Sequence, residues 1–328
     1  MSGAVVIAAP DSQLVVIGGA TTGGSLASGA FTFNPSTGAL EHFGNLTTAV
    51  DDACGTVIAG QDVVFGGSAP AASSTVQQLT QPSTAGAAPS GSGVGGGAGR
   101  PVSASVIGSL PEARTDAAVA TIGATTYLVG GDDGSSSLAQ VLATSDGHTF
   151  VQVGSLAQPV ASAAVAAVGK TLYVFGGQSM SQSAASSPLD TIQSVDLSTR
   201  RSRVVGHLPE PLAQASAVTV GDRVLLIGGV TSGTSGTSGS SGASHSGAAG
   251  SAASQPVSSS PATTPVPTVW SFDPATRKVS VLSQLPTAVS RAGAAVVGSV
   301  VWVIGGDSGG SPVAAVQSIT VVSASSRR

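Results

Sequence analysis

The sequence predicts an all-β chain folded as a six-bladed β-propeller with four-stranded antiparallel blades, the last of either three or four strands, on three observations. First, six short runs of β-branched and aromatic residues each close on a glycine pair: LVVIGG ending at Gly19, DVVFGG at Gly67, TYLVGG at Gly131, TLYVFGG at Gly177, VLLIGG at Gly229 and VWVIGG at Gly306. Each reads as a buried strand that ends where the backbone needs φ > 0 or a close approach that a Cβ would block. Second, the spacings between the second glycines are 48, 64, 46, 52 and 77 residues. They lie near the ~50-residue period of some stacked β-units, except in two intervals that carry low-complexity inserts. Third, a leucine stands 21 residues before the second glycine in every interval: Leu46, Leu110, Leu156, Leu208 and Leu285. The segment from leucine to glycine pair therefore has constant length, and insertions lie elsewhere.

Within each repeat the elements follow in order. The leucine marks a corner, followed by proline at Pro111, Pro209 and Pro286. An innermost strand of small residues comes next, such as SAAVAAV over 162–168, then a tight turn such as Gly169-Lys170 and the strand ending in the glycine pair. Third strands read FTFNP, IQSVDL and VWSFDP, with turn chemistry at Asn34-Pro35, Asp146-Gly147, Asp196 to Thr199 and Asp273-Pro274. An outer strand such as KVSVLSQL leads to the next corner. Small residues inside and larger ones outside suit the taper of a propeller blade.

The whole chain, 1–328, reads as one domain with inserts at 82–101, between strands 3 and 4 of the second blade, and 230–267, between strands 2 and 3 of the fifth. Runs such as TSGTSGTSGSSGASHSG bury too little apolar surface to offset ordering entropy, so mobile, solvating loops are expected. Counting back from Gly19 leaves no outer strand before the first blade, and Val316 to Val322 reads as a third strand with no fourth after it. Either the last blade has three strands, or the chain is a piece of a longer protein whose missing segment closes the ring or leads to an anchor; the second reading is the one expected.

Composition narrows the function. Only 9% of residues are charged, against roughly 25% in an average domain. With 12 basic and 16 acidic residues, net charge −4, and a single basic cluster at Arg200, Arg201 and Arg203, there is no footprint for nucleic acid. Cys54 is the only cysteine, so neither a disulfide framework nor a zinc-ligand spacing exists. The apolar runs are far shorter than the ~20 residues that cross a bilayer, and Met1 to Pro10 has no basic n-region. Tracts of Ser, Thr, Gly and Ala with few lysines suggest an exported, extracytoplasmic bacterial protein.

The pattern resembles the kelch-repeat β-propellers, the superfamily that also includes the galactose oxidase central domain. The glycine pairs carry the resemblance, with the second-strand aromatics Phe65, Tyr127, Tyr173, Phe175 and Trp302 and the ending Phe272-Asp273-Pro274. One departure is that Trp270 lies in a third strand, where the family usually places tryptophan in the outer strand. A copper-radical oxidase like galactose oxidase would imply a Tyr–Cys crosslink and histidines around the axis. Here Tyr127 and Tyr173 sit mid-strand, while His42, His148, His207 and His245 fall in outer-strand, turn, corner and insert segments. No metal or other cofactor is therefore expected.

Fifteen residues before each second glycine stand Ala4, Asp52, Asp116, Ser162, Gln214 and Arg291, the first residues of the innermost strands. In a propeller this position rings one mouth of the central channel. The flanking position, Val50, Arg114, Val160, Leu212 and Val289, adds a second arginine. Convergent polar groups in a concavity mark ligand sites, although such residues also satisfy backbone groups and channel water. Asp132-Asp133-Gly134 lacks the spaced acidic ligands of a calcium loop and reads as turn capping. The expected function is a non-catalytic, monomeric binding or scaffolding module that presents Asp52, Asp116, Ser162, Gln214, Arg291 and Arg114 to a protein or glycan. The alternative is a carbohydrate-active hydrolase using Asp52 and Asp116 as its carboxylates. An aromatic content of 3% argues against a strong sugar platform.

Overall fold

A computed structural model describes residues 1–9, 11–80, 102–180, 186–232 and 263–321. Among them there is no helix, and the strands form six blades around one axis. Blade one is β1 (Val5–Ala8), β2 (Leu14–Ile17), β3 (Gly29–Phe33) and β4 (Leu40–Asn45). Blade two is β5 (Cys54–Ile58), β6 (Gln61–Phe65), β7 (Thr75–Thr80) and β8 (Ser103–Ser109). Blade three is β9 (Ala118–Ile122), β10 (Thr125–Val129), β11 (Gln140–Thr144) and β12 (Val151–Ser155). Blade four is β13 (Ala164–Val168), β14 (Thr171–Phe175), β15 (Leu189–Asp196) and β16 (Arg201–Leu212).

Blade five begins with β17 (Ser216–Val220) and β18 (Arg223–Ile227). A ribbon of β19 (Val230–Ser232) and β20 (Thr263–Pro265) rises from it before β21 (Thr268–Asp273) and β22 (Lys278–Gln284) complete the sheet. Blade six has β23 (Gly293–Val297), β24 (Val300–Ile304) and, beyond a short ribbon of β25 (Asp307–Ser308) and β26 (Ser311–Pro312), β27 (Val316–Thr320). Among the described residues this last blade has three strands. The ends of the 230–267 insert, expected as mobile loop, pair as a ribbon; its residues 233–262, and the 82–101 insert, lie outside the described residues.

The innermost strands neighbour one another in ring order, and β23 closes against β1. The second strands of blades one, two and five are buried nearly throughout, while outer strands leave Leu40, Val106, Val151, Val204 and Val281 exposed. His207, expected in a corner, pairs with Thr191 inside β16, because that strand runs unbroken through the corner residues. Hairpins between first and second strands turn on glycine at φ near +60°, as at Gly123, Gly169, Gly221 and Gly298. The Asn and Asp residues that end third strands cap their turns as their chemistry demands. Asp146 Oδ1 accepts from the amides of His148 and Thr149, both at 2.8 Å, and Asp196 Oδ1 from those of Ser198 and Thr199. These amides hold both carboxyls below the usual range.

Two features join blade to blade. The amide of each second glycine donates to a carbonyl in the next corner: Gly19 to Val50, Gly67 to Arg114, Gly131 to Val160, Gly177 to Leu212 and Gly229 to Val289, with Gly306 donating to Met1 across the seam. Those glycines have φ between 86° and 100°, and their crowding against backbone leaves no space for a Cβ. In addition, the five marker leucines are 4–6% exposed, each wedged between its own blade and the next. Burial of that order contributes about 1.5–3 kcal/mol per side chain.

Blades two, four and six carry a further tie. Gln77, Gln193 and Gln317, at one register position of the third strand, each grip a corner residue through its amide and carbonyl, on Thr48, Gln158 and Thr287 respectively. Phe31, Leu142 and Trp270 occupy that position in blades one, three and five.

Candidate functional site: the channel mouth

At one mouth of the channel the backbone closes a ring of six hydrogen bonds. The amide of Gly3 donates to Arg291 O at 3.0 Å, Asp52 to Gly3 O at 3.1 Å, Asp116 to Asp52 O at 2.9 Å, Ser162 to Asp116 O at 2.9 Å, Gln214 to Ser162 O at 2.8 Å and Arg291 to Gln214 O at 2.9 Å. All six residues have positive φ, from 49° at Asp52 to 61° at Gly3. Five residues with a Cβ in this sparsely populated region, each at about 1 kcal/mol or more, mean that the ring over-determines its backbone. The left-handed turn carries the chain from the corner to the innermost strand and leaves each side chain at the mouth.

Ala4 is not a ring member; Gly3 is. The hairpin of blade one has one extra residue, since Val5 pairs with Ile17, twelve positions on, whereas Cys54 pairs with Phe65, eleven on. Counting fifteen residues back from Gly19 therefore stops one residue short of Gly3. Ala4 belongs to the layer below, with Ala53, Ala117, Ala163, Ala215 and Ala292, and the two layers line a cavity of about 130 Å³.

Arg114 does not reach the mouth. It is 2% exposed, its Nη1 donates to Gly130 O at 2.8 Å, and Nη2 lies 3.8 Å from Glu112 Oε2. Its flanking position points sideways into the junction of blades two and three, where Val160, Leu212 and Val289 are likewise buried at other junctions. Burial lowers its pKa, opposed by Glu112. Arg114 is thus a structural tie within the wall.

Arg291 spans part of the mouth. Its Nε donates to Asp52 Oδ1 at 2.9 Å and Nη2 to Asp51 Oδ2 at 3.0 Å; Nη2 also meets Asp52 Oδ2, and Nη1 lies 3.4 Å from Asp307 Oδ2. Ser2 Oγ donates to the same Asp307 oxygen at 2.9 Å. The site residues expected from the sequence did not include Asp51, Asp307 and Ser2, which lie one residue outside the ring or just past the last glycine pair. The available signal was the adjacent acidic pair Asp51-Asp52 and an aspartate directly after Gly306. These carboxylates hold Arg291 charged, its pKa raised against the cost of burial.

On the other side Asp116 accepts from Ser162 Oγ at 2.8 Å. Burial, helped by the Asp52 charge and opposed by the Ser162 hydroxyl and Arg291, pushes Asp116 up to about 7. Burial also raises Asp52, against the pull of Arg291. The mouth therefore holds one fixed cation, carboxylates in excess and an aspartate that changes charge near neutrality. Asp132 and Asp133 nearby cap their own turn, with Asp132 Oδ1 accepting from Gly134 and Asp133 Oδ1 from Ser135 and Ser136, as expected.

The sign of the Asp116 shift gives a testable result. Its folded pKa lies above its unfolded one, so its contribution to stability is fully present below about pH 4 and is lost as pH rises to about 7. Asp116→Asn keeps the Ser162 bond and tolerates positive φ, but cannot ionise. It is expected to be more stable than wild type at pH 8 by about 2–4 kcal/mol relative to the difference at pH 4. Urea denaturation of both proteins at the two pH values checks this; a pH-independent difference would refute it.

The kelch motif family model matches residues 159–209, from the corner before β13 into β16, which is one blade of the ring. No curated protein matches the chain.

Proposed function

We propose, from the premise that the chain is a kelch-motif β-propeller, that it is a non-catalytic binding module whose channel mouth receives a basic side chain of a protein partner. Propellers of this kind are commonly protein-binding scaffolds and typically non-catalytic. The observation that carries the reading is the imbalance at the mouth: Asp51, Asp52, Asp116 and Asp307 face one cation, Arg291, beside the neutral donors Ser162 and Gln214. A lysine or arginine entering beside Asp116 gains a carboxylate that is ionised above about pH 7. Binding should therefore strengthen as pH rises through neutrality. The composition supports an extracytoplasmic setting, and the module is read as the binding part of a larger bacterial protein.

The test is capture from an envelope fraction at pH 8 with wild type and Gln214→Arg. Gln214 has φ 56° and Arg291 51°, so the ring already accommodates arginine in that conformation. The variant is expected to fold, block the mouth and lose the wild-type partner. Equal capture by both forms would overturn the reading.

A hydrolase reading has one observation in its favour: adjacent carboxylates, one paired with arginine and one titrating near 7, are the arrangement from which acid and base roles are made. It requires glycan hydrolysis that disappears in Asp116→Asn.

A further inference from the structure

At the seam between blades six and one lies an apolar cavity of about 260 Å³, whose walls include Val16, Phe33, Leu40, Ile304, Ala314 and Val316. The internal repeats identify what this space is shaped to hold. In each of the five other junctions a marker leucine packs among three side chains at fixed register positions. They are the second-strand residue two before the second glycine, its third-strand partner, and the second-strand residue three before the glycine of the next blade. For Leu110 these are Phe65, Val76 and Leu128; for Leu208 they are Phe175, Ile192 and Leu226. At the seam the same positions are Ile304, Val316 and Val16, and all three line the cavity.

The backbone repeats the correspondence. Leu46, Leu110, Leu156 and Leu285 donate their amides, each at 2.7 Å, to the carbonyls of Ser28, Ser74, Ala139 and Pro267. Each acceptor immediately precedes the residue whose carbonyl receives the first glycine of the pair. Since Gly305 donates to Ala315 O, the equivalent acceptor in blade six is Ala314 O, and no leucine among the described residues reaches it. Exposure agrees: Val76, Val141, Ile192 and Val269 are each 0% exposed, while Val316, at their position, is 46% exposed.

We propose that the seam is a strand-acceptor site, which takes an extended segment of a partner polypeptide along the edge of β27 that no described strand pairs, with a leucine seated between Ile304, Val316 and Val16. The chemistry of the partner follows from the five fourth strands that already fill equivalent places. Each pairs antiparallel with the third strand through a register shift at one conserved position, and each leads to a buried leucine. Main-chain bonds supply affinity and the leucine slot supplies selectivity, the general logic of strand addition. This surface shares only Ala4 with the lining of the channel mouth, and its test does not depend on the function proposed there.

The test uses the whole chain and a fluorescein-labelled peptide with the sequence of residues 278–286, KVSVLSQLP, in an anisotropy titration. Saturable binding is expected, weakened at least about tenfold when the peptide leucine equivalent to Leu285 is aspartate. The chain variant Val316→Lys, a change at an exposed position, is expected to weaken it similarly, and the amides of β27 should gain protection from hydrogen exchange when the peptide binds. No saturable binding, or equal binding of the two peptides, would overturn the proposal. A protein that sediments as a dimer and is made monomeric by the peptide would show that a second copy fills the slot, and would overturn the assignment to a different polypeptide.

Discussion

Arg291→Met is expected to cost about 3–5 kcal/mol of stability at pH 8, the range for stripping a buried charge cluster of its counter-ion. The guanidinium side chain is 23% exposed and faces Asp51, Asp52 and Asp307, themselves 13–17% exposed. Without it, three carboxylates and the ionised Asp116 repel one another in a partly dry mouth. The loss should shrink toward pH 5, because burial raises both Asp52 and Asp116 and protonation relieves the repulsion. Arg291→Lys should fall between the two, keeping the charge while losing the planar fork that reaches several carboxylates at once. Chemical denaturation of the three proteins at pH 5 and pH 8 measures both the size and the trend; a pH-independent loss would mean that packing rather than charge dominates.

Gly177→Ala is expected to be of the same order, about 3–5 kcal/mol, as strained backbone and overpacking add. Gly177 has φ 86°, and a Cβ would lie 2.7 Å from Ala161 O and 2.8 Å from Ala163 Cβ, inside the ring wall. Neither neighbour can yield without moving the innermost strand. Gly169→Ala separates the two causes: its φ is 58°, yet nothing lies within 4 Å of the added Cβ. That variant should lose only about 1 kcal/mol, the conformational part alone. Equal losses at the two sites would show that the close approach at the glycine pair is not what requires glycine.

What the sequence made legible is what repeats. Glycine pairs, marker leucines and the polar start of the inner strands recur at fixed offsets because blade-to-blade contacts recur, so six copies reveal the blades and the ring order. Residues outside that regularity were not legible. The extra hairpin residue of blade one displaced Gly3 by one position, and no local signal near Gly19 announces it. Arg114 was read as a mouth residue because it stands two positions from Asp116; the left-handed turn at Asp116 sends the two side chains to different surroundings, which linear spacing does not show. The alternation of Gln77, Gln193 and Gln317 with Phe31, Leu142 and Trp270 was visible in the letters, but gains meaning only once the grip on the corner is seen.

The seam has a consequence for how the molecule is made. Ser2 and Asp307, bonded across it, are 305 positions apart, and the amide of Gly3 finds the carbonyl of Arg291 only when the circle is complete. A ribosome delivers blades one to five well before that partner exists, so the flank of blade one, with Val16 and Phe33, waits bare through most of synthesis. Contacts of such long range assemble late and leave apolar flanks open to wrong partners in the interval. For this chain the vulnerable period is the time between the emergence of its first blade and its last.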